Sequence, residues 1–379
     1  MESLFATEPL FAMIHQALSR LLIAILWFVG FSWSMSTSMS TSIASEPSLV
    51  EFTNEGRSYV GLSLARSLST WLILSNDGQL HYLESEAAFR DVKTLDGDFV
   101  PASTIELRSS LVREFGPSFE VIATQHFLVV QPRGRGTKWP DTFEQLHRQF
   151  THQLRQRGVN VRKGKFPMVA VVMPDRAMLH AELNRQKLPT ANIAGIYIAN
   201  SNRVYTHDSG NDSSTLPVLR HEAAHQSAFN SNIHSRLNAT PKWITEGLGM
   251  MFEPAAMADG RSSTVLQRAQ MDALVKLRIR YSDEQNSLPI DVRRLIADDI
   301  MFEHSRDVEH AYNISWLMMF YLSERRPAVF AKYLNLTTSR PPFIEYSKQQ
   351  RLNDFQSITG QTIDTFASDL TRFVESLAK

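Results

Sequence analysis

Residues 217–229 read PVLRHEAAHQSAF, and residues 241–252 read PKWITEGLGMMF. The apolar spacing and the proline at the start of each stretch predict two helices. In the first, His221 and His225 stand four positions apart, so their side chains share one face of the helix. Ser213, Ser214 and Thr215 can cap this helix, and Pro217 fits its first turn, so we expect it to span Pro217–Phe229.

The residue types in these two segments are those of a zinc site. The two imidazoles can reach one Zn²⁺, and Glu222, directly after the first histidine, can act as the general base on zinc-bound water. Glu246 lies in an apolar stretch of the second helix, where a carboxylate needs a cation or hydrogen-bond donors. We therefore predict one Zn²⁺ bound by His221, His225 and Glu246.

The composition argues against several other classes of protein and of metal site. The chain has 379 residues, with 39 Lys+Arg, 39 Asp+Glu and no cysteine. Zero net charge argues against a nucleic-acid binder. The lack of cysteine excludes disulfide frameworks, thiolate zinc sites, iron–sulfur clusters and cysteine nucleophiles. Any metal site must therefore use histidines and carboxylates.

Residues 123–379 read as a mixed sheet followed by helices, which predicts an α+β catalytic domain. The predicted strands are His126–Val130, Met168–Met173, Ile193–Ala199 and Arg203–His207. The other predicted helices are Trp139–Arg157, Pro174–Gln186, Pro241–Phe252, Thr264–Arg280, Val308–Glu324, Pro327–Leu334 and Thr362–Ala378.

Residues 45–122 read as strands and turns, which predicts a small β-rich accessory module. Asn76-Asp77-Gly78 lies between two apolar runs and is typical of a hairpin turn.

Residues 1–44 have the pattern of a secretory signal peptide. Arg20 precedes the apolar run Leu21–Phe28, and small residues lead to a predicted cleavage site after Ala44. The apolar centre is shorter than the roughly 20 residues of a membrane-spanning helix. We expect an exported protein, periplasmic, in the cell envelope or secreted. The alternative is an uncleaved segment that anchors the chain, and this would be its one contact with a membrane.

The order His221-Glu222-x-x-His225, then Trp243-x-x-Glu246-Gly247-Leu248, resembles the gluzincin metallopeptidases. It is most similar to the peptidase MA-like group of secreted bacterial proteins, often labelled as domains of unknown function. The resemblance covers about residues 123–335 and implies a zincin-like fold. It also implies that His221, His225 and Glu246 bind zinc, that Glu222 is the general base, and that Ile193–His207 supplies a sheet edge for an extended peptide.

The same resemblance implies a residue that stabilises the oxyanion. Tyr312 and His310 are both candidates, and residues two positions apart on a helix point in different directions. We prefer Tyr312. We expect His310 to have a structural or surface role, and His234 and His304 to be exposed. We expect Asp298-Asp299 to be a solvated helix end rather than a partner of a zinc-bound imidazole.

The predicted function is zinc-dependent hydrolysis of peptide bonds, with a peptide or protein as substrate and no nucleic-acid partner. Two alternatives stay open. One is a catalytically inactive secreted binding or scaffold protein with the same fold, and the other is a zinc amidohydrolase or esterase acting on non-peptide substrates. The sequence leaves the oligomeric state, the substrate preference and the choice between endo- and exopeptidase open.

Overall fold

The computed structural model describes residues 47–377, apart from residues 55, 85, 189, 191–192 and 260–261. The predicted signal segment therefore lies outside the described residues. Across the part of the chain that is described, no helix combines the length and apolar character needed to cross a membrane.

The first sheet is antiparallel. Its strands are β1 (Leu49–Asn54), β2 (Arg57–Arg66), β3 (Trp71–Ser75), β4 (Leu80–Leu83) and β5 (Lys93–Leu95), in the spatial order β4-β3-β2-β1-β5. The predicted hairpin is confirmed: β3 and β4 pair across Asn76-Asp77-Gly78, and Gly78 has the positive φ of +86° that such a turn requires. Val50, Phe52, Ile73 and Leu83 form the core of this sheet.

The prediction of strands and turns alone for the N-terminal region is wrong at two helices, α1 (Glu86–Arg90) and α2 (Thr104–Phe115). Helix α2 has a local cause, because Ser103 and Glu106 form a capping box at its start. Its buried residues Leu107 and Leu111 pack with the second sheet.

The second sheet is mixed and lies beside the candidate site. Its strands are β6 (Phe119–Ala123), β7 (Phe127–Pro132), β8 (Met168–Met173), β9 (Gly195–Ile198) and β10 (Arg203–His207), in the order β6-β7-β8-β10-β9. Strand β8 is parallel to β7 and β10, whereas β9 is an edge strand antiparallel to β10. The predicted boundary between the β-rich module and the catalytic domain, between residues 122 and 123, falls inside β6. The second sheet therefore starts a few residues before that boundary.

Alternation along β8 explains the layers on both faces of this sheet. Val169, Val171 and Met173 face one apolar cluster, while Met168, Ala170 and Val172 face another. The second cluster includes residues of α3 (Lys138–Gln156) and of α5 (Asp212–Asn230). The first includes Leu179 and Leu183 of α4 (Arg176–Arg185).

The chain after β10 is helical, as predicted, and the α+β fold class is confirmed. Among the described residues the remaining helices are α6 (Lys242–Met251), α7 (Ala255–Ala258), α8 (Val265–Arg268), α9 (Met271–Tyr281), α10 (Leu288–Ala297), α11 (Val308–Arg325), α12 (Pro327–Thr338), α13 (Lys348–Thr359) and α14 (Ile363–Ser376), with a 3₁₀ turn at Ile300–Phe302. Most of them share one large apolar core, in which α11 packs along α6.

The single helix predicted over Thr264–Arg280 is wrong. The structure has two helices, α8 and α9, separated by extended backbone at Ala269 and Gln270. The break has a structural reason, because it directs the Gln270 side chain to Glu253, next to the candidate site.

Candidate metal centre

Helix α5 carries both candidate histidines and begins earlier than predicted. The side chain of Asn211 caps it by accepting a hydrogen bond from the backbone N–H of Ser213 at 3.0 Å. Pro217 therefore lies in the second turn and not in the first. The helix extends to Asn230, so His221 and His225 lie well inside it.

Three ligand atoms converge between α5 and α6. His221 Nε2 lies 2.9 Å from His225 Nε2 and 3.3 Å from Glu246 Oε2, and His225 Nε2 lies 3.6 Å from Glu246 Oε2. Nitrogen and oxygen ligands bound tetrahedrally to zinc are separated by about 3.3 Å, given bond lengths of about 2.0–2.1 Å. The spacing therefore suits one small cation. Among the described residues, this is the one such group of three or more histidines and acids.

Two glycines of α6 allow this convergence. A Cβ on Gly249 would lie 2.7 Å from His221 Nε2, and a Cβ on Gly247 would clash with the backbone oxygen of Ser315 in α11. Any other residue would push α6 away from the imidazole or from α11. Sequence reasoning missed this role, although the Glu-Gly-x-Gly pattern was visible.

A second carboxylate lies behind His221. His221 Nδ1 donates a hydrogen bond to Glu253 Oε1 at 2.9 Å, and Glu253 is itself bonded by the Gln270 amide. A carboxylate on Nδ1 fixes the tautomer that leaves the Nε2 lone pair free for a metal. Sequence reasoning missed Glu253, and the available signal was a carboxylate seven positions after Glu246.

The Asp298-Asp299 pair lies at the end of α10, as expected, but both carboxylates are ion-paired rather than simply solvated. Asp299 accepts hydrogen bonds from Arg351 at 3.0 and 3.2 Å and from the backbone N–H of Lys242 at 3.0 Å. Asp298 forms an ion pair with Lys348 at 2.7 Å.

Electrostatics distinguish the two carboxylates nearest the histidines. Burial raises the pKa of Glu222, and nearby histidines offset only part of that increase. Burial also acts to raise the pKa of Glu246, but the charge on His225 and a hydrogen bond with His221 outweigh it and hold the pKa below its usual value. Glu246 thus has the character of a ligand anion, and Glu222 that of a proton acceptor with raised basicity.

Glu222 lies close to both the candidate metal ligands and the sheet edge. Its Oε2 accepts a hydrogen bond from the backbone N–H of Tyr197 in β9 at 2.7 Å. A Cβ on Gly195 would lie 3.0 Å from Val218 Cγ1 and 3.5 Å from Glu222 Cγ, so β9 packs directly on α5. The arrangement brings the candidate base, the edge strand and the candidate metal ligands together.

Tyr312 lies beside the candidate ligand Glu246, whereas His310 lies elsewhere. Burial, the negative charge of Glu246 and a hydrogen bond with Glu246 raise the pKa of Tyr312 well above its usual value. Unlike the fully buried ligands, its side chain is partly exposed. His310 Nε2 instead lies 2.9 Å from Asp291 Oδ2 and 3.0 Å from the Tyr281 hydroxyl, a structural pairing as expected.

The two remaining candidate histidines differ. His304 is exposed, as predicted. His234 was also expected to be exposed, and this is wrong: it is 1% exposed and packs edge-on against Phe229. Neither of its ring nitrogens has a hydrogen-bond partner among the residues that the structure describes. Burial lowers its pKa to about 3, so it is neutral at physiological pH.

Part of the chain is similar to a known protein family. Residues 215–344 match the model of a family described as a protein of unknown function (DUF1570). This range covers about a third of the chain, from inside α5 to the segment after α12, and it includes His221, Glu222, His225, Glu246 and Tyr312. No curated protein matches the chain.

Proposed function

We propose that this protein is a zinc-dependent peptidase of the gluzincin type. The observation that carries the proposal is the convergence of His221 Nε2, His225 Nε2 and Glu246 Oε2 from two helices, with separations of 2.9–3.6 Å. The predicted signal segment makes export from the cytoplasm part of the same proposal.

The donor set fits zinc. Two imidazoles and one carboxylate are the ligands of one well-known class of catalytic zinc sites, which keeps a fourth position open. All three side chains are almost completely buried, and a buried Glu246 carboxylate is stable only with positive charge close by. When bound, zinc would lower the pKa of a water molecule and polarise the scissile carbonyl.

Glu222 and Tyr312 supply the remaining chemistry. Glu222 would accept a proton as water attacks the carbonyl carbon and would deliver it to the departing amine. Its raised pKa favours the first step, because the side chain takes a proton more readily than an ordinary carboxylate does. The Tyr312 hydroxyl, kept protonated by its raised pKa, would donate a hydrogen bond to the developing oxyanion.

Strand β9 is the element suited to hold the substrate. It is an edge strand, and it lies directly beside Glu222. An extended peptide can add to such an edge through backbone hydrogen bonds, with side-chain pockets giving specificity. This would align a scissile bond with the base and the metal.

The test compares zinc content and peptide hydrolysis for the wild type and Glu222→Gln. We expect about one zinc ion per chain in both, and a rate that is lower by about 10²–10⁴ in the variant because the proton acceptor is gone. Tyr312→Phe should retain zinc and lose about 10²–10³ in rate.

Three outcomes would overturn the proposal. A wild type that binds no zinc would reduce the group to a buried ion-pair cluster. A zinc-loaded wild type that cleaves esters or small amides but not peptides would be a non-peptide hydrolase. A zinc-loaded wild type that is inert on peptide, ester and amide panels would be a binding or scaffold protein.

A further inference from the structure

Arg236, in the segment after α5, joins the two sheets. Its guanidinium donates three hydrogen bonds to backbone oxygens: Nε to Ala199 at 2.7 Å, Nη2 to Asn200 at 2.9 Å and Nη1 to Gly78 at 2.9 Å. Ala199 and Asn200 form the turn between β9 and β10, while Gly78 is at the tip of the β3–β4 hairpin. One side chain therefore connects the N-terminal sheet to the candidate substrate strand.

Further contacts hold the N-terminal sheet at the same place. The backbone N–H of Leu80 donates to the Asn200 oxygen at 2.8 Å, which adds a direct main-chain link. A Cβ on Gly78 would lie 2.9 Å from Phe166 Cγ, so the hairpin tip packs against the ring of Phe166, which shortly precedes β8. Leu72 and Leu80 pack with Leu237. The N-terminal sheet is therefore held against the β9–β10 turn region by both hydrogen bonds and apolar packing.

The β9–β10 hairpin is also held from its other side, by α5. The Tyr197 hydroxyl donates to Asn202 Oδ1 at 2.9 Å, and Asn230 Nδ2 donates to the same oxygen at 2.7 Å. Gln226 Nε2 donates to the Asn202 backbone oxygen at 2.8 Å. Glu222, Gln226 and Asn230 are spaced four apart, so one face of α5 holds this hairpin while the adjacent face carries the metal ligands.

We propose that the N-terminal β module is a fixed support for strand β9, and that Arg236 is the positioning residue that connects them. In this role the module sets the distance between the substrate strand and Glu222. Its effect on catalysis rests on the proposed peptidase function.

The physical need for such a support follows from the strand itself. Strand β9 has four residues and a single neighbouring strand, β10. Short edge strands open locally at low free-energy cost unless other elements hold them. Because the Tyr197 N–H bonds Glu222, a shift of β9 moves the strand and the base relative to each other, and misplacement by about 1 Å can cost about 10²-fold in rate.

The experiment compares Arg236→Met with a matched control, Arg326→Met, in the full chain. Arg326 is also a partly buried arginine bonded to carbonyl groups, those of Thr359 and Gln361, but it lies on the C-terminal side of α11. The readouts are amide hydrogen exchange over residues 195–198, zinc content, and kcat and KM on a peptide substrate.

For Arg236→Met we expect exchange over residues 195–198 to rise about tenfold and kcat/KM to fall about tenfold, with zinc content unchanged. Arg326→Met should leave both the exchange over residues 195–198 and kcat/KM unchanged. We expect both variants to lose some thermal stability. Arg236→Lys, which keeps one cationic donor group, should recover part of the protection.

Unchanged exchange over residues 195–198 in Arg236→Met, or an equal change in both variants, would overturn the support role. The exchange readout does not depend on turnover. A wild type without peptidase activity would therefore refute the proposed function, while the exchange data would still decide whether the module supports β9.

Discussion

Two clusters of largely buried histidines and carboxylates involve residues of helix α5, and they differ in how their polar atoms are used. In the candidate metal centre, His221 Nε2, His225 Nε2 and Glu246 Oε2 point at one another. In the second cluster, His126 Nδ1 lies 2.7 Å from Glu144 Oε1, and His147 Nδ1 lies 3.0 Å from the Ser227 hydroxyl. The same residue types thus converge on one point in the candidate metal centre, whereas they form separate hydrogen-bonded pairs in the second cluster.

The carboxylate of the second cluster is already saturated. Glu144 Oε2 accepts hydrogen bonds from the Thr124 hydroxyl at 2.7 Å and from the backbone N–H of His126 at 3.0 Å. Residue types and burial are therefore similar in the two clusters. What distinguishes the candidate centre is that three ligand atoms share one point.

The largest expected difference between the clusters is in metal content. His225→Ala should reduce zinc from about one ion per chain to almost none, because two ligands do not hold a catalytic zinc site. His147→Ala should leave the stoichiometry unchanged. Elemental analysis of both purified variants measures this, and equal losses would contradict the assignment.

Gly249→Ala should weaken zinc binding by about 100-fold, because its new Cβ would lie 2.7 Å from His221 Nε2 and displace the ring. Gly164→Ala is the control, since its Cβ would approach the Asn230 backbone oxygen at 3.0 Å, away from the ligands. Competition with a chromophoric chelator gives both affinities. An unchanged affinity in Gly249→Ala would refute the close packing of α6 on His221.

The carboxylates behind the two histidine pairs should also behave differently. Glu253→Gln should lower zinc affinity by about 10–100-fold, because it weakens the hydrogen bond that orients His221. Glu144→Gln should lower the free energy of unfolding and leave zinc affinity intact. The same chelator titration, combined with denaturant unfolding, separates these effects. Should Glu144→Gln weaken zinc equally, the two carboxylates would share one role.

The smallest predicted effect is a pH dependence in the second cluster. Burial and the charge of His126 lower the pKa of His147 to about 4, against about 6.5 in the unfolded chain. Between these values the unfolded state binds a proton that the native state does not, so the free energy of unfolding falls as pH decreases from 6.5 towards 4. The pKa of Glu144 is lowered from 4.5, so its contribution to stability is lost only at the acidic end of this window and below it.

We expect His147 to reduce the stability by roughly 1 kcal/mol at pH 6 relative to pH 7.5. Urea unfolding of the wild type and His147→Asn at both pH values measures this as a difference of differences, which cancels titrations elsewhere in the chain. An identical pH dependence in both proteins would show that His147 is not neutral and buried in the native state.

Local patterns were sufficient for the centre of the site and insufficient for its surroundings. The four-residue spacing of His221 and His225 is a property of any helix, and Glu246 was visible as a carboxylate within an apolar helix. Glu253, Gln270 and Gly249 depend on how α6, α9 and α5 pack together. No short window of sequence contains that information.

Most errors in the predicted fold also come from tertiary packing that a short window of sequence does not reveal. Strand β8 was predicted to the residue, because its continuous apolar run is a local signal. The break at Ala269-Gln270 and the buried position of His234 are consequences of tertiary contacts that override local preference. Helix α2 is different: its Ser103–Glu106 capping box was present in the sequence and was overlooked.

The two glycines of α6 also affect the order in which the centre can assemble during folding. Each glycine costs a helix about 1 kcal/mol relative to alanine, and α6 has only ten residues, so it is weak as an isolated helix. Helix α6 therefore gains its stability from docking along α11, which lies far later in the chain. A nascent chain would present the histidine pair first and acquire the Glu246 ligand only after α11 has emerged, so tight metal capture would be a late event in folding.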